Sequence, residues 1–387
     1  MVSYFSAFLI GVFVWYSFAL LWLLWHWRQS RVRTKILLQE PFAPTQDLYV
    51  SVVIAVRNEI QNLPNLIQDL EKQSLAKHCF EVIVIDDQSS DGTSTFLKSL
   101  QTTLNFVYMA SDNVENTVAY KKKAIAQGIA IARGELIVCT DGDCRVSEHW
   151  LQNFVQAQTT SNAVFISAPV AYLPSNEVFM QMQTIEFASL IGTGGACMNA
   201  GFPNMCNGAN LAYLKSAYHA VDGFAGTTQI ASGDDELLLH KMKEHFSSDK
   251  VLFINHSGSV VFTNAHRSWS SFQQQRKRWA SKWSYYQDIK ISLLAIATAA
   301  LHGLFLFVWF APLFEIISWK TAAILLITKM LSEYFLLKVV VKNCDAQWKN
   351  RAFFALQCLH SAYVLFFGLS AAFFRNKGYE WKGRKVS

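Results

Sequence analysis

The chain has 387 residues, of which 52% are hydrophobic and 16% are charged, with a formal net charge of +6. A soluble domain carries about 25% charged residues, so long apolar stretches in a bilayer are expected, and the modest net charge gives no indication of nucleic-acid binding. Seven cysteines without a CxxC pair exclude a disulfide framework and a zinc site, and they predict reduced, mostly buried thiols in a cytosol-facing domain.

The first predicted element is a transmembrane helix over residues 5–25, a nearly uninterrupted apolar run. At 1.5 Å per residue it spans roughly 30 Å, the thickness of the hydrocarbon layer. A cleaved signal peptide fits poorly, because no basic segment precedes the run and no small-x-small cleavage site follows it. Basic residues accumulate on the cytoplasmic side of a membrane, so residues 1–35 are predicted to form an anchor with its N-terminus outside. The basic residues after the run are Arg28, Arg31, Arg33 and Lys35.

Residues 48–265 show strands that alternate with helices. The strand-like runs at 51–56, 80–85 and 135–140 are rich in β-branched residues, and each is followed by polar or acidic residues. A helical pattern at 125–132 is one of those between them. The alternation predicts an α/β domain with a mostly parallel sheet covered on both faces. Ligands bind beyond the carboxyl ends of such strands, where the polar residues lie.

The C-terminal part of the chain is predicted to associate with the membrane. Residues 266–290 are basic and aromatic, as in an amphipathic helix in the membrane interface. Residues 291–374 contain three apolar segments, and a basic tail follows at 375–387. These ranges, with the anchor and the α/β domain, are the predicted domains.

The middle C-terminal segment, residues 322–341, contains Lys329 and Glu333, which are costly at the centre of a bilayer. If all three segments crossed the membrane, the basic tail would lie on its outer side. Lys and Arg favour the cytoplasmic side, so this topology conflicts with the tail's charge. The sequence therefore leaves two or three C-terminal membrane helices open, with this segment either crossing, lying at the interface or packing against protein.

The candidate metal ligands are Asp141 and Asp143 of the triplet Asp-Gly-Asp at the end of the third predicted strand. Two carboxylates one residue apart can share Mg²⁺, which proteins usually hold by one or two carboxylates together with substrate phosphates. Gly142 permits a ligand to approach the backbone closely. A pair of acids on a solvated turn is the common structural explanation of such a triplet, but its place after a buried strand favours a metal site.

Two further acidic motifs and one basic motif have alternative explanations. Asp87, after the second predicted strand, could accept a hydrogen bond from a nucleobase or belong to a helix-capping turn. The acidic run 233–236 could cap a helix, or place Asp235 across a cleft as a general base with a raised pKa. The segment 275–279 could lie in the membrane interface, or hold a diphosphate by arginine and stack a sugar on its indole.

Together these motifs resemble the family 2 glycosyltransferases of the GT-A fold, in the membrane-embedded branch that includes cellulose synthase, hyaluronan synthase and ceramide glucosyltransferase. The resemblance covers about residues 51–286 with the anchor and the C-terminal segments. It implies a Rossmann-like, mostly parallel cytoplasmic domain with one N-terminal and two or three C-terminal membrane helices. The positions that match the family's nucleotide-sugar-binding residues are Val56, Asn58, Glu59, Asp87, Lys121, Lys122, Asp141, Gln275, Arg278 and Trp279.

The resemblance also implies the remaining roles. Asp235 matches the catalytic base, and Asp141 with Asp143 matches the pair that binds Mg²⁺ or Mn²⁺ and the diphosphate. The acid before the base is Asp234, where cellulose synthases commonly have Glu. The chain also has fewer C-terminal apolar segments than synthases that secrete a polymer. The positions on the acceptor side are Asn207, Gly208, Asn210, Asp234 and Trp279.

The function that the resemblance implies is an inverting, metal-dependent transfer of a hexosyl or N-acetylhexosaminyl group. The expected donor is a UDP-sugar, and the expected acceptor is a hydroxyl of a lipid or lipid-linked glycan. The alternatives are a processive polysaccharide synthase subunit with an exporter or assembly partner, and a membrane-anchored nucleotide-sugar-binding module without transfer activity.

The expected location is the bacterial inner membrane or an equivalent membrane, in contact with its lipids and with the catalytic domain in the cytoplasm; no nucleic-acid partner is expected. A transporter would need polar residues along its apolar segments, and most of the chain lies outside them. A P-loop NTPase is excluded because no GxxxxGK[ST] sequence occurs. A sugar nucleotidyltransferase could share acids at strand ends, but it needs neither the anchor nor the segment 275–279.

Overall fold

The computed structural model describes residues 2–39, 48–112, 118–230, 232–280, 289–373, 379–381 and 384–386. Most of the predicted domains fall within these ranges. Residues 281–288 of the predicted interface segment lie outside the described residues. So do residues 374–378, 382–383 and 387, which include most of the predicted basic tail.

Within the described residues, helices and strands alternate through the α/β domain, and long helices precede and follow it. The helices are α1 Val2–Leu37, α2 Leu63–Glu71, α3 Thr93–Ser99, α4 Tyr120–Ile131, α5 Trp150–Ser161, α6 Val178–Asn199, α7 Lys215–Ala220, α8 Glu236–Phe246, α9 Trp269–Ala280, α10 Ile289–Phe310, α11 Trp319–Asn343 and α12 Asn350–Phe373. The strands are β1 Val50–Val56, β2 Phe80–Asp86, β3 Phe106–Ala110, β4 Leu136–Cys139, β5 Phe165–Ser167, β6 Val170–Tyr172, β7 Leu211–Leu214, β8 Val251–Phe253, β9 Val261–Thr263, β10 Tyr379–Trp381 and β11 Arg384–Val386.

The central sheet has the strand order β3-β2-β1-β4-β7-β5-β8. β1 is parallel to β2 and β4, while β7 is antiparallel to β4 and β5. Every residue of β2 is buried, as expected for a strand in a sheet covered on both faces. The prediction of a mostly parallel α/β sheet is confirmed. The register places the carboxyl ends of β1, β2 and β4 at one edge, with Val56 opposite Asp86.

α1 continues past the predicted transmembrane run at 5–25 and ends at Leu37, close to the end of the predicted anchor at 35, and its last turns dock on the α/β domain. The Asn255 side chain donates to the carbonyl oxygen of Trp27 (3.0 Å) and to Ser30 Oγ (3.0 Å). The Asn255 backbone amide donates to Thr34 Oγ1 at 2.9 Å. The apolar run ends at residue 25, but the helix continues beyond it, and these hydrogen bonds hold its last turns against the α/β domain. α1 therefore joins the apolar N-terminal segment directly to the sheet.

Two helical stretches among the described residues are long and apolar enough to cross a membrane, Tyr4–Leu37 and Ile289–Phe314. The described residues thus offer one N-terminal and one C-terminal candidate span, by length and composition. Crossing by α11 and α12 stays a prediction. α6 packs against α1, α11 and α12 and so connects the α/β domain to the long helices.

The ionisable residues of α11 are paired inside the protein. Lys329 Nζ lies 2.8 Å from Glu333 Oε1 and donates to Gln357 Oε1 of α12 at 2.8 Å. Gln357 Nε2 donates to Glu333 Oε2 at 2.6 Å, and the Tyr16 hydroxyl of α1 donates to Glu333 Oε1 at 2.6 Å. The Lys329 and Glu333 side chains are 4% and 6% exposed. Packing against protein is therefore the outcome for these residues, and their network joins α1, α11 and α12.

Candidate active site

The Asp141-Gly142-Asp143 triplet directly follows β4, at the carboxyl edge of the sheet. Gly142 lies against the end of β1, where an added Cβ would be 2.8 Å from Val56 Cγ1 and 3.1 Å from Glu59 Cγ. Such a separation is shorter than real Cβ contacts, so glycine alone lets the two segments meet. The structure thereby brings the predicted metal ligands beside the predicted nucleoside-contacting segment.

Lys121 of α4 connects the triplet to the acidic motif before α8. Its Nζ lies 2.7 Å from Asp141 Oδ1 and 3.0 Å from Asp234 Oδ2. Burial disfavours the ammonium, but the two carboxylates outweigh that effect and raise the pKa of Lys121. Lys121 therefore stays protonated at neutral pH and holds the two acidic motifs close together.

Asp235 is the N-cap of α8. Its Oδ1 accepts a hydrogen bond from the Glu236 backbone amide (2.7 Å), and its Oδ2 accepts one from the Gly208 amide (3.0 Å). Gly208 also approaches Asp234, since an added Cβ would lie 3.0 Å from Asp234 Oδ2. The turn around Gly208 is closed by Asn207, whose Oδ1 accepts from the Ala209 amide at 3.0 Å. Capping of α8 is thus observed, and the role of the same carboxylate as a base stays a prediction.

The ends of β1 and β2 form one wall of the site. Asn58 adopts a left-handed backbone with φ 53°, and its amide donates to Ser89 Oγ at 2.9 Å. Arg57 Nη1 donates to the carbonyl oxygen of Asp87 at 2.7 Å, and Asp87 itself is buried. The neighbouring Asp86 closes the loop, since its Oδ1 accepts from the Ser89 amide at 3.0 Å, and Asp91 Oδ1 accepts from the amide of Thr93, the first residue of α3, at 3.1 Å. The predicted donor-binding residues after β1 and β2 are therefore adjacent.

Two predicted site residues, Lys122 and Asn210, form hydrogen bonds inside the protein. Lys122 is buried, and its Nζ donates to the carbonyl oxygens of Thr227 (2.9 Å) and Ile230 (3.0 Å), in the loop before the acidic motif. Asn210 is fully buried, and its Oδ1 accepts from Trp150 Nε1 at 2.9 Å while its amide donates to two buried carbonyl oxygens. Both side chains are therefore directed into the protein, and a donor contact of Lys122 and an acceptor contact of Asn210 stay predictions.

The side chains of the basic motif on α9, residues 275–279, have different surroundings. The Trp279 ring packs on Phe187 of α6 at 6.0 Å between centroids, and the Arg276 guanidinium lies 4.2 Å from the indole centroid. These contacts give the indole a packing role, and its stacking on a sugar stays a prediction. Gln275 and Arg278 are partly buried, one helical turn apart.

His266 is close enough to the triplet and to the basic motif for charges of both to act on it, and it was not predicted from the sequence. Burial lowers the pKa of His266, the cations of Arg276 and Arg278 add to that shift, and the charge of Asp143 opposes it. Its backbone is held from both sides by Gln183 of α6, whose side chain accepts from the His266 amide (3.0 Å) and donates to its carbonyl oxygen (2.8 Å). The only indication of His266 as a site residue in the sequence is its position just before the basic helix α9.

Residues 51–221 match the model of glycosyl transferase family 2. The chain contains a family 2 glycosyltransferase domain. It is 26% identical over 129 residues to glycosyltransferase AglE of Haloferax volcanii, covering 33% of this chain and 41% of that protein. It is 25% identical over 173 residues to poly-beta-1,6-N-acetyl-D-glucosamine synthase of Staphylococcus aureus, covering 43% of this chain and 40% of that protein. The chain thus spans about two fifths of the length of these curated relatives.

The fold of the glycosyltransferase domain is shared with a solved structure. The mannosyltransferase PcManGT of Pyrobaculum calidifontis, in complex with GDP-Man and Mn²⁺, superposes with a TM-score of 0.52 at 17% identity. The match covers 96% of this chain and 98% of that one. The likeness therefore extends over the GT-A fold and the helices that follow it.

The acidic residues of the glycosyltransferase domain fit a divalent cation that is bound together with a diphosphate. Among the described residues, no group of three or more His, Cys, Asp or Glu side chains is arranged to hold a metal. Asp141 and Asp143 still supply two carboxylates at the sheet edge, which is the usual protein contribution to Mg²⁺ held with substrate phosphates.

Proposed function

We propose that this protein is an inverting, metal-dependent glycosyltransferase that moves a sugar from a UDP-sugar to a hydroxyl of a lipid or lipid-linked glycan. The observation that carries the proposal is the position of Lys121, whose ammonium contacts both Asp141 and Asp234. One side chain thereby joins the candidate metal ligands to the motif that contains the candidate base. The matching family 2 domain supports the same chemistry.

In the proposed reaction, Asp235 accepts the proton of the acceptor hydroxyl while its oxygen attacks the anomeric carbon of the donor. A single displacement inverts that carbon and releases the nucleoside diphosphate. Arg278 contributes positive charge to the leaving group. A bound Mg²⁺ or Mn²⁺, held by Asp141 and Asp143, would neutralise charge on the same diphosphate.

The connection between the domain and the long helices favours a lipid acceptor. α1 enters the α/β domain through its contacts with Asn255, and α6 packs against α1, α11 and α12. A catalytic domain fixed in this way meets acceptors that lie in the membrane surface. The second candidate is a polysaccharide synthase, which the similarity to the Staphylococcus aureus synthase favours.

A panel of radiolabelled nucleotide sugars distinguishes these functions. The full chain would be purified in membranes and assayed with Mn²⁺ or with EDTA, and products would be separated into lipid-extractable and polymeric fractions. We expect label from a UDP-sugar in the lipid-extractable fraction, with Mn²⁺ only. A polymeric product would support the synthase, and donor binding without transfer from any donor would support a binding module.

Substitution of Asp143 by Ala is expected to weaken UDP binding at least tenfold in Mn²⁺, because a charged ligand worth about 1.5–3 kcal/mol is removed. Calorimetric titration with UDP measures the effect, and EDTA should abolish the difference between variant and wild type. Asp249→Ala is the matched control, an exposed acid before β8 at the opposite edge of the sheet. Equal UDP affinities in Mn²⁺ would remove Asp143 from the proposed metal site.

Substitution of Gly142 by Ala is expected to lower kcat/KM by about 10²-fold, because a displacement of about 1 Å at a reacting centre costs that much. The new Cβ would lie 2.8 Å from Val56 Cγ1, so the triplet or the end of β1 must move. Gly11→Ala in α1 is the control, since nothing lies within 4 Å of the added atom. Initial rates over a range of donor concentrations measure the effect, and a Gly142→Ala enzyme as active as the control would contradict the close packing.

A further inference from the structure

We propose that Glu186, Arg276 and Tyr363 form a positioning cluster that fixes the orientation of α9, and with it Gln275 and Arg278, relative to the membrane-associated helices. The inference rests on the proposed function, because it assigns a task to residues around the leaving group. Arg276 stands inside the basic motif, but it matches none of the positions that the family resemblance identifies.

The cluster joins three helices. Arg276 of α9 donates a hydrogen bond from Nη2 to Glu186 Oε2 of α6, and the two side chains form an ion pair. The Tyr363 hydroxyl of α12 donates to Glu186 Oε1 at 3.1 Å. Glu186 and Arg276 are 7% and 4% exposed. Burial raises the pKa of Glu186 and the Arg276 charge opposes this shift, so the pair depends on both partners. A buried carboxylate shared by two donors leaves each helix little freedom to slide.

Two aromatic rings also contact the guanidinium. Its central carbon lies 4.7 Å from the Phe272 centroid and 4.2 Å from the Trp279 centroid. Trp279 in turn stacks on Phe187, the residue after Glu186 in α6. A planar, delocalised cation suits this arrangement, and a lysine ammonium does not reproduce the stacking on the two rings.

The helical period places the residues of the basic motif close together. Residues three and four apart are neighbours on a helix surface, so Trp279 lies beside both Gln275 and Arg276, and Gln275 lies beside Arg278. Arg276 and Trp279 contact α6, as their partners Glu186 and Phe187 show. These contacts anchor α9 on α6, and the anchoring fixes the positions of Gln275 and Arg278 on the same helix.

Conservative variants separate positioning from stability. Arg276→Lys keeps the charge and Tyr363→Phe keeps the ring, whereas Arg276→Met with Glu186→Leu removes both charges at similar volume. We expect at least a tenfold lower kcat for Arg276→Lys, with KM for the donor changed less than threefold. Tyr363→Phe should show a smaller loss of kcat. The double variant should regain the melting temperature of the wild type in detergent but not its kcat, because a buried pair can be replaced by apolar residues without loss of stability.

Arg351→Lys is the matched control, because Arg351 of α12 also donates to Gln181 of α6 and to the carbonyl oxygen of Asn176 just before that helix, away from the basic motif. It should keep wild-type kcat. Recovery of both melting temperature and kcat in the double variant would show a merely structural pair and overturn the proposal. So would an Arg276→Lys enzyme as active as the control.

Hydrogen–deuterium exchange of the peptide 269–280 supplies a readout independent of transfer. Arg276→Lys should accelerate exchange there at least fivefold and leave the peptide 50–56 of β1 unchanged. Faster exchange in α9 supports the cluster even if the wild type transfers no sugar, which would be a failure of the proposed function alone. Unchanged exchange in α9 overturns the cluster whatever the activity.

Discussion

Substitution of Asp235 by Asn is expected to lower the transfer rate by about 10²–10⁴-fold, the usual contribution of a positioned base. UDP binding should stay within twofold of the wild type, because Asp235 is assigned to the acceptor hydroxyl and not to the diphosphate. Asn is among the best helix N-caps, so its remaining oxygen can still accept from the Glu236 amide and retain α8. Single-turnover kinetics and calorimetric titration with UDP measure the two quantities.

A second substitution distinguishes the base from the cap. Asp235→Ala removes both the carboxylate and the capping acceptor, so it should lower the stability of the fold by about 1 kcal/mol more than Asn does, with a similar loss of rate. An Asn variant that transfers at close to the wild-type rate would leave Asp235 with the capping role alone. Loss of UDP binding together with transfer would count against a base that contacts only the acceptor.

The sheet could be predicted because its signal is local. The runs at 51–56, 80–85 and 135–140 are short, β-branched and bounded by polar residues, and the strands observed there differ by one residue or less at most ends. Parallel pairing then follows from the helices between them, and it places the residues after each strand at one edge. The adjacency of Gly142 and Val56 is a consequence of that topology.

The assignment of single side chains could not be predicted, because it depends on contacts distant in the sequence. Lys121 and Lys122 are adjacent and chemically equal, but one contacts the acidic motifs and the other holds internal carbonyls. Trp279 matches a family position as well as Arg278 does, and only its contact with Phe187 shows a packing role. Asn210 is likewise separated by 60 residues from its partner Trp150.

The same limit applies to Lys329 and Glu333. The sequence shows that two charged side chains in an apolar segment are costly to bury, but it does not show which residues pair with them. Tyr16 is 317 residues from Glu333 along the chain. We expect Lys329→Met to lower the free energy of unfolding by about 3–5 kcal/mol, because Glu333 would remain buried without its cation. The double variant Lys329→Met with Glu333→Gln should recover most of this loss, since no charge stays buried and the amide oxygen can still accept from Tyr16.

Melting temperatures of the purified chain in detergent measure this series, with Lys338→Met as the control. Lys338 lies on the same helix but is exposed, so its replacement should change stability by no more than about 0.5 kcal/mol. If Lys329→Met melts like Lys338→Met, the buried pair does not hold α1, α11 and α12 together. If the double variant is less stable than Lys329→Met alone, Glu333 stabilises the helices through Tyr16 and Gln357 even without its cation. If the double variant regains stability, the loss in Lys329→Met is caused by the unpaired carboxylate of Glu333. Both variants lack the Lys329 ammonium, and they differ only in the charge at position 333.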